Sequence, residues 1–568
     1  MYFLGIRALF APMASRSKYF FILIVLGCSS LLFSQQIEVD STEIDLKSNP
    51  PLAIPLRYSG TFAELRPNHF HAGVDLKTMG REGLPVYAVA DGFVRRINVA
   101  INSYGKAVYI DHPKTNKTSV YAHLTQFSPK IQNFVKSQQY LSESYEIRRY
   151  LKAEDIPIKK GEIIGYSGNT GNSFGPHLHF EIRDLNSEDP LNPLKFGLTA
   201  EDNEPPSILG LYLFESESAT VFSATQNRSR IALNAQEGTL NYKAIDTIET
   251  QAYFGFGIDA FDRLSLSANK NGWYSVALLK NDSLISAITT DRFSFKESAK
   301  INELIDYSFL KTSKKNVLLL NKELIKASDT PENWKLIVSD YASNSSTIEW
   351  TTMPAKENKR LREATENKLL DTLIANAYLN AKIIALPGSL IASQKLSVEL
   401  KRDTLIIEPE NQLIRKPVLT KLSYTNPPAE RQFYPYRFLA QLSEKKELQF
   451  IRKMTSDTLE ASLKSAGRYV IGTDSIPPLI TPRNFTSGQA INGYRFLEIN
   501  GIDHETGILS YNGYLDGQWV LFEYEPKKNL FTFDTNDVLL VPGTHRLVFE
   551  AEDFLGNRSQ TIYNLTIN

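Results

Sequence analysis

The chain has one cysteine, Cys28, among 568 residues, so no disulfide can hold its mature fold together. Excess charge of one sign is missing too. With 63 basic residues facing 63 acidic ones, no global field draws in nucleic acid or an anionic membrane, and partner choice falls to local sites. Long apolar runs are scarce. The run Tyr19-Phe20-Phe21-Ile22-Leu23-Ile24-Val25-Leu26 is too short for a comfortable membrane span and, with Arg16 and Lys18 ahead of it, reads as an export signal, with Met13 a candidate initiator. Cleavage after Ser34 or Gln35 would give a signal peptide over 1–35. The alternative is a lipoprotein signal ending before Cys28, in Val25-Leu26-Gly27-Cys28, with a lipid anchor on Cys28. Simple cleavage is favoured because Leu31-Leu32-Phe33 carries the apolar run past Cys28. Either route places the protein in the periplasm or cell envelope.

Histidine is scarce as well, with eight in the chain, and a catalytic zinc site needs three protein ligands and an open fourth position. Where those few histidines fall is therefore informative. In Gly175-Pro176-His177-Leu178-His179-Phe180-Glu181 the strand period of two puts His177 and His179 on one face, with Leu178 and Phe180 toward the core. Upstream, in His71-Ala72-Gly73-Val74-Asp75, Gly73 and the nearby Pro67 argue against a helix and for a bent loop or strand start that brings both side chains round one ion. Two neutral imidazoles and one carboxylate leave a zinc ion with net positive charge, able to lower the pKa of a bound water to roughly 7. His71, Asp75 and one member of the His177/His179 pair supply that set. A third unit, Val120-Tyr121-Ala122-His123-Leu124, alternates like a strand, with Tyr121 and His123 expected on one face. His123 and the spare histidine would then flank the activated water or hold the developing oxyanion.

These three units, in this order, resemble the lysostaphin/LytM-type zinc metallopeptidases. Ala88-Val89-Ala90-Asp91-Gly92, Lys160-Gly161-Glu162-Ile163-Ile164-Gly165 and Ser167-Gly168-Asn169-Thr170-Gly171 add to the match, which runs from about Gly60 to Asp184. The resemblance implies that His71, Asp75 and His179 bind one zinc ion, that His123 and His177 are the catalytic pair, and that the substrate is the peptide part of bacterial peptidoglycan. Arg66 and His69, just before the first ligand, are candidates to steady the site. The competing class is a non-catalytic peptidoglycan-binding or amidase-activating envelope scaffold on the same fold, and retention of all five groups favours the enzyme.

Short alternating runs dominate elsewhere, and the expected class is mostly β: a LytM-type antiparallel β catalytic domain followed by about three immunoglobulin-like β-sandwich domains. The catalytic unit is placed at 45–200, with strands at Tyr87–Ala90, Gly92–Ile97 and Ala107–Asp111, His112 in a turn, and Leu124–Pro157 a surface elaboration or a wall of the substrate groove, with amphipathic spacing at Ile131, Phe134 and Val135 and an edge-strand alternation over Tyr145–Leu151. A fragment ending near Ala200 is expected to fold and bind zinc alone. Sandwiches are expected at 205–352 and 477–568, because Pro205-Pro206-Ser207-Ile208 recurs as Pro477-Pro478-Leu479-Ile480, Gly257-Ile258-Asp259 and the later Trp273 as Gly501-Ile502-Asp503 and Trp519, and Asp340-Tyr341-Ala342-Ser343-Asn344 as Asp553-Phe554-Leu555-Gly556-Asn557. Between them, 356–476 reads as a helix or linker over Lys356–Asn376 and a further sandwich. His504 and His545 are expected to be surface or strand histidines, and an envelope protein is a candidate partner of the tail sandwiches.

Overall fold

The computed structural model describes residues 44–568 except 67–68, 217–226, 237–239, 265–267, 299–300, 322, 357–369, 377–378, 386–396, 409–412, 425–435, 444–446, 455 and 457. The expected export signal and Cys28 lie outside the described residues. The protein is mostly β. The catalytic unit is built on one antiparallel sheet whose strands are β1 (Tyr58–Gly60), β2 (Val74–Lys77), β3 (Gly92–Val99), β4 (Lys106–His112), β5 (Lys117–Leu124), β6 (Ile147–Tyr150) and β7 (His177–Asp184), in the spatial order β1-β2-β7-β5-β4-β3-β6. One face of the middle strands, with Val108, Ile110, Tyr121, Leu178 and Phe180, enters the main core. The other carries the small cluster Ala107, Tyr109, Val120 and Ala122 and, beyond it, the histidines. A three-stranded sheet of Pro85–Tyr87, Gln126–Phe127 and Ile163–Tyr166 packs alongside, so the strand expected at Tyr87–Ala90 ends where it was expected to begin.

Two local expectations change, that for His112 and that for closure of the core. His112 closes β4 rather than turning: it is fully buried, and its ring reaches the Asp91 carbonyl at 2.9 Å and Ser119 Oγ at 2.7 Å. The stretch after Leu124 forms helix α1 (Pro129–Ser142), started by a proline whose missing N–H costs nothing in the first turn, with Ile131, Val135 and Gln139 on its buried face. Its outer side receives the last sandwich: Tyr140 stacks edge-on to Trp519 with ring centres 5.3 Å apart, and Lys136 pairs with Asp537. Nor is the core of the 45–200 unit closed by its own strands. Phe293 and Ile301 from the following sandwich and Leu521 from the last one are buried in it, with the Phe293 ring 5.3 Å from Phe62 and 5.4 Å from Phe70.

After residue 200 the sheets come in pairs. Sheets centred on Ser207–Ser216 with Tyr253–Phe261, and on Glu332–Ser339 with Ser345–Pro354, enclose Phe254, Phe256, Trp334 and Trp350. The last pair, centred on Phe496–Ile502 and on Gly543–Asp553, encloses Phe522, Phe531 and Phe549. Between them two sheets enclose Ile383, Leu405, Leu439 and Tyr469, and Leu370–Ala375, expected to belong to a helix or linker, is a strand paired with Leu379–Ala385. The repeat is present but its register differs from the sequence match. Ser207 opposes Phe261 and Leu479 opposes Ile502, so the counterpart of Asp503 is Asp262, three residues beyond Asp259. Trp273 and Trp519 do not correspond: the first precedes Ser275–Lys280, which pairs with Glu332–Ser339, whereas the second follows Ile508–Leu515, which pairs with Gly543–Asp553. His545 lies on Gly543–Asp553 and bonds to Asp516 Oδ2 at 2.6 Å, and His504 is exposed.

Candidate metal centre

Strand pairing fixes the site. His179 on β7 sits directly opposite Asp75 on β2, and directly opposed residues project to the same face, so imidazole and carboxylate meet. His71 comes in from the bend before β2. That bend lies so close to β7 that a Cβ at Gly73 would fall 2.2 Å from the Phe180 carbonyl oxygen, which is why a glycine stands there. The three side chains converge: His71 Nε2 is 3.1 Å from Asp75 Oδ1 and 3.0 Å from His179 Nδ1, which is 2.9 Å from the same Asp75 oxygen. All three are at least nine-tenths buried.

The partners on the far side decide what the converging atoms carry. His71 Nδ1 lies 2.8 Å from the Thr61 carbonyl, which only accepts, so Nδ1 holds the proton and Nε2 presents a lone pair. His179 Nε2 lies 2.8 Å from Glu181 Oε1, so Nδ1 is its lone-pair nitrogen. Two lone pairs and a carboxylate oxygen therefore point at one spot, where nothing but a proton or a cation relieves their repulsion. Burial pushes His71 down to about 4, against Asp75. Burial also opposes charge on His179, but the Asp75 and Glu181 carboxylates hold it up to about 9. A tetrahedral zinc bound at about 2.05 Å sets its ligand atoms about 3.3 Å apart. The observed spacings need only a few tenths of an ångström of relaxation, and the donor set of two imidazoles and a carboxylate suits that ion, so the residues fit it.

The other two histidines face the same space. His123 and His177 ring centres are 4.9 Å apart, and His123 is 5.9 Å from His179. His123 Nδ1 donates to the Thr170 carbonyl at 2.8 Å and His177 Nδ1 to the Gly175 carbonyl at 2.8 Å, so each keeps a lone pair on Nε2. Burial pushes His123 down to about 3, with His179 and His177 adding to it. Tyr121 and His123 do not share a face as strand alternation predicts. Tyr121 is buried in the core against Phe180, whereas His123, at φ +59°, is turned to the Ala122 side where His179 lies. A left-handed conformation in a non-glycine residue at the end of a strand is the local cost of putting that ring at the site.

Of the flanking candidates, Arg66 reaches Asp75 Oδ2 at 2.7 Å, and His69 is exposed on the neighbouring strand. The sequence reading missed the support behind His179. Glu181, fully buried, accepts from His179, from the Tyr104 hydroxyl at 2.5 Å and from Arg183 Nε at 2.5 Å. Burial opposes its charge, but Arg183 and His179 hold Glu181 well below the usual carboxylate range. The signal was present: residues 177, 179, 181 and 183 are spaced by two along one strand, so a single face carries the catalytic candidate, the ligand candidate, its carboxylate and that carboxylate's counter-ion. Tyr104, by contrast, had no pattern to mark it.

A buried His-Asp-His cluster with oriented outer partners and an adjacent histidine pair is an arrangement that could hold a metal ion. The family model described as peptidase family M23 matches residues 69–149 and 144–193 of the chain. The DD-carboxypeptidase/endopeptidase Mpg of Neisseria meningitidis serogroup B is 34% identical over 128 residues, covering 22% of this chain and 23% of that protein. An uncharacterized metalloprotease of Haemophilus influenzae is also 34% identical over 128 residues, covering 22% of this chain and 21% of its own length. The chain thus spans about a quarter of the length of these curated relatives. The crystallised catalytic domain of lysostaphin from Staphylococcus simulans is 22% identical, covers 25% of this chain and 91% of its own, and superposes with a TM-score of 0.19.

Proposed function

We propose that the protein is an exported zinc-dependent endopeptidase that hydrolyses peptide bonds in the cross-bridges or stem peptides of bacterial peptidoglycan, in the periplasm or cell envelope. The observation that carries this reading is the convergence of His71 Nε2, Asp75 Oδ1 and His179 Nδ1 within 3.1 Å, with the His123 and His177 rings beside them. The peptidase family match and the relative named a DD-carboxypeptidase/endopeptidase support the substrate class. The N-terminal apolar run supports export.

His71, Asp75 and His179 would hold the zinc ion, which supplies Lewis acidity and a water acidic near neutral pH. Everything else falls to the chain. His123 and His177, with their Nδ1 protons committed to backbone carbonyls, offer Nε2 to take a proton from the attacking water and return it to the leaving amine. Arg66 fixes the Asp75 carboxylate, and Glu181 fixes the His179 ring so that Nδ1 faces inward. The segment Asn169–Ser173, whose Thr170 carbonyl orients His123, is held by the last sandwich, where Lys527 Nζ donates to the carbonyls of Asn169, Gly171 and Ser173.

The test is digestion of purified sacculi with and without a chelator, the released fragments being identified by mass. Chelator-sensitive release of peptides with a newly freed amine is expected. An intact, zinc-loaded protein that releases nothing from sacculi or soluble muropeptides overturns the enzyme reading.

A further inference from the structure

The two matching sandwiches each bring three aspartates together. One comes three residues ahead of the diproline (Asp202, Asp474), one follows the strand that opposes it (Asp262, Asp503), and one opens the last hairpin turn (Asp340, Asp553); within each trio the oxygens lie within 4.8 Å of one another. The frames are alike. Asn344 Nδ2 donates to Asp340 Oδ2 at 2.7 Å and to the Asp202 carbonyl at 3.2 Å, as Asn557 Nδ2 does to Asp553 Oδ2 at 2.6 Å and the Asp474 carbonyl at 3.2 Å.

The trios differ in what satisfies them. In the last sandwich Asp474 accepts from the Thr506 hydroxyl at 2.7 Å, Asp503 from the amides of Thr506 and Gly507, and Asp553 from three successive amides. In the first sandwich Asp262, 3% exposed, has an oxygen, Oδ1, with no hydrogen-bond partner. Asn271, 2% exposed, leaves its whole amide without one. These two residues exchange both backbone hydrogen bonds, at 2.9 and 2.8 Å, so their side chains leave the same face side by side. Buried oxygens without donors, beside two further carboxylates, call for a positive charge. Burial and the neighbouring Asp202 and Asp340 push Asp262 up to about 8.

We propose that Asp202, Asp262, Asp340 and the amide oxygen of Asn271 bind a hard divalent cation of the calcium class between the peptidase domain and the first sandwich. All four donors are oxygens, as calcium prefers, with no imidazole or thiolate to draw zinc. A cavity of about 270 Å³, with Asp202 and Asp262 in its wall, leaves room for the waters that complete six to eight ligands. Position gives the ion a task. Gly272, next to Asn271, donates its N–H to Thr61 Oγ1 at 2.9 Å, and the Thr61 carbonyl orients His71, so an ion here stiffens the joint that supports a zinc ligand.

The experiment uses the full-length, zinc-loaded protein freed of calcium on a chelating resin and resupplied with zinc. Terbium is titrated first, since Trp273, Tyr274 and Tyr341 line the same cavity and can sensitise its luminescence. Calcium then displaces it, and thermal unfolding is followed with calcium or magnesium. One calcium-displaceable terbium site is expected, half-saturated by calcium at roughly 0.1–1 mM as in extracellular oxygen-ligand sites, together with a calcium-dependent rise of several degrees in melting temperature. Asp262→Asn should abolish both effects yet melt no lower than the parent when calcium is absent, because without the ion burial and the neighbouring Asp202 and Asp340 already keep this carboxyl largely neutral at pH 7. Asp503→Asn should leave both effects unchanged. Should Asp262→Asn fail to fold, the parent titration and Asn271→Ala decide. Absence of both effects in the parent overturns the proposal, as does their survival in Asp262→Asn or their loss in Asp503→Asn. None of these readouts depends on peptidase activity, so failure here leaves the proposed hydrolysis untouched.

Discussion

Replacing Glu181 with Gln removes one charge while keeping the size of the side chain, and it separates support of the metal centre from the centre itself. In the parent, Glu181 is fully buried between His179 and Arg183, and the Arg183 side chain is only 6% exposed. Removing one partner of a buried ion pair costs about 3–5 kcal/mol, because the other charge stays buried and uncompensated. The glutamine oxygen can still accept from His179 Nε2, but its NH₂ then meets the Arg183 guanidinium donor to donor, so the same cost applies whichever way the amide is turned. At His179 the loss is one of basicity and ring orientation, worth about 10–100-fold in metal affinity for an outer partner of this kind. The assay is urea unfolding of the zinc-loaded and zinc-free proteins, with zinc affinity measured by competition against a chromophoric chelator. A second substitution, Arg183→Met, should recover much of the stability lost in Glu181→Gln without recovering the zinc affinity. A Glu181→Gln protein with parental stability and parental zinc affinity would refute the argument that this carboxylate is ionised and positions the ring.

His123→Ala and His177→Ala should retain zinc by elemental analysis yet lose activity on soluble muropeptides by roughly a hundredfold or more each; loss of metal in either would reassign it as a ligand. Asp75→Ala and His179→Ala should instead come out of purification largely without zinc. Gly73→Ala drives a methyl group against the Phe180 carbonyl, 2.2 Å away, and should destabilise the domain by about 1–3 kcal/mol in chemical unfolding; parental stability would mean that the bend moves freely. Truncation near Ala200 removes the Phe293 ring that packs on Phe62 and Phe70, and loss of one buried phenylalanine side chain costs about 3–5 kcal/mol. The fragment should therefore melt well below the full chain or aggregate, and equal melting temperatures would show that its own strands suffice.

Much of the site was legible in the sequence because strand geometry is local. A period of two puts His177, His179, Glu181 and Arg183 on one face whatever the rest of the chain does, and a glycine between His71 and Asp75 marks a close approach of backbone. Those rules carried the ligand candidates, the mostly β class and the repeated sandwiches. They failed where a single backbone angle or a distant partner intervened. Positive φ at His123 takes its ring off the face that alternation assigns it, and no residue type announces that angle. Asp262 rather than Asp259 meets Asp202 and Asp340 because a ladder of interstrand hydrogen bonds, with a bulge between Ile208 and Gly210, sets the register, and similar letters three residues away cannot reveal it. Tyr104 reaches Glu181 across 77 residues, and Phe293 fills a core that the first 200 residues leave open. The sequence by itself determined which side chains could hold a metal ion and move a proton, since composition and period are written along the chain. Only the tertiary structure decided which nitrogen of each ring faces inward, which carboxylate lacks a partner and which sandwich completes which core, because each depends on atoms brought together from strands far apart in sequence.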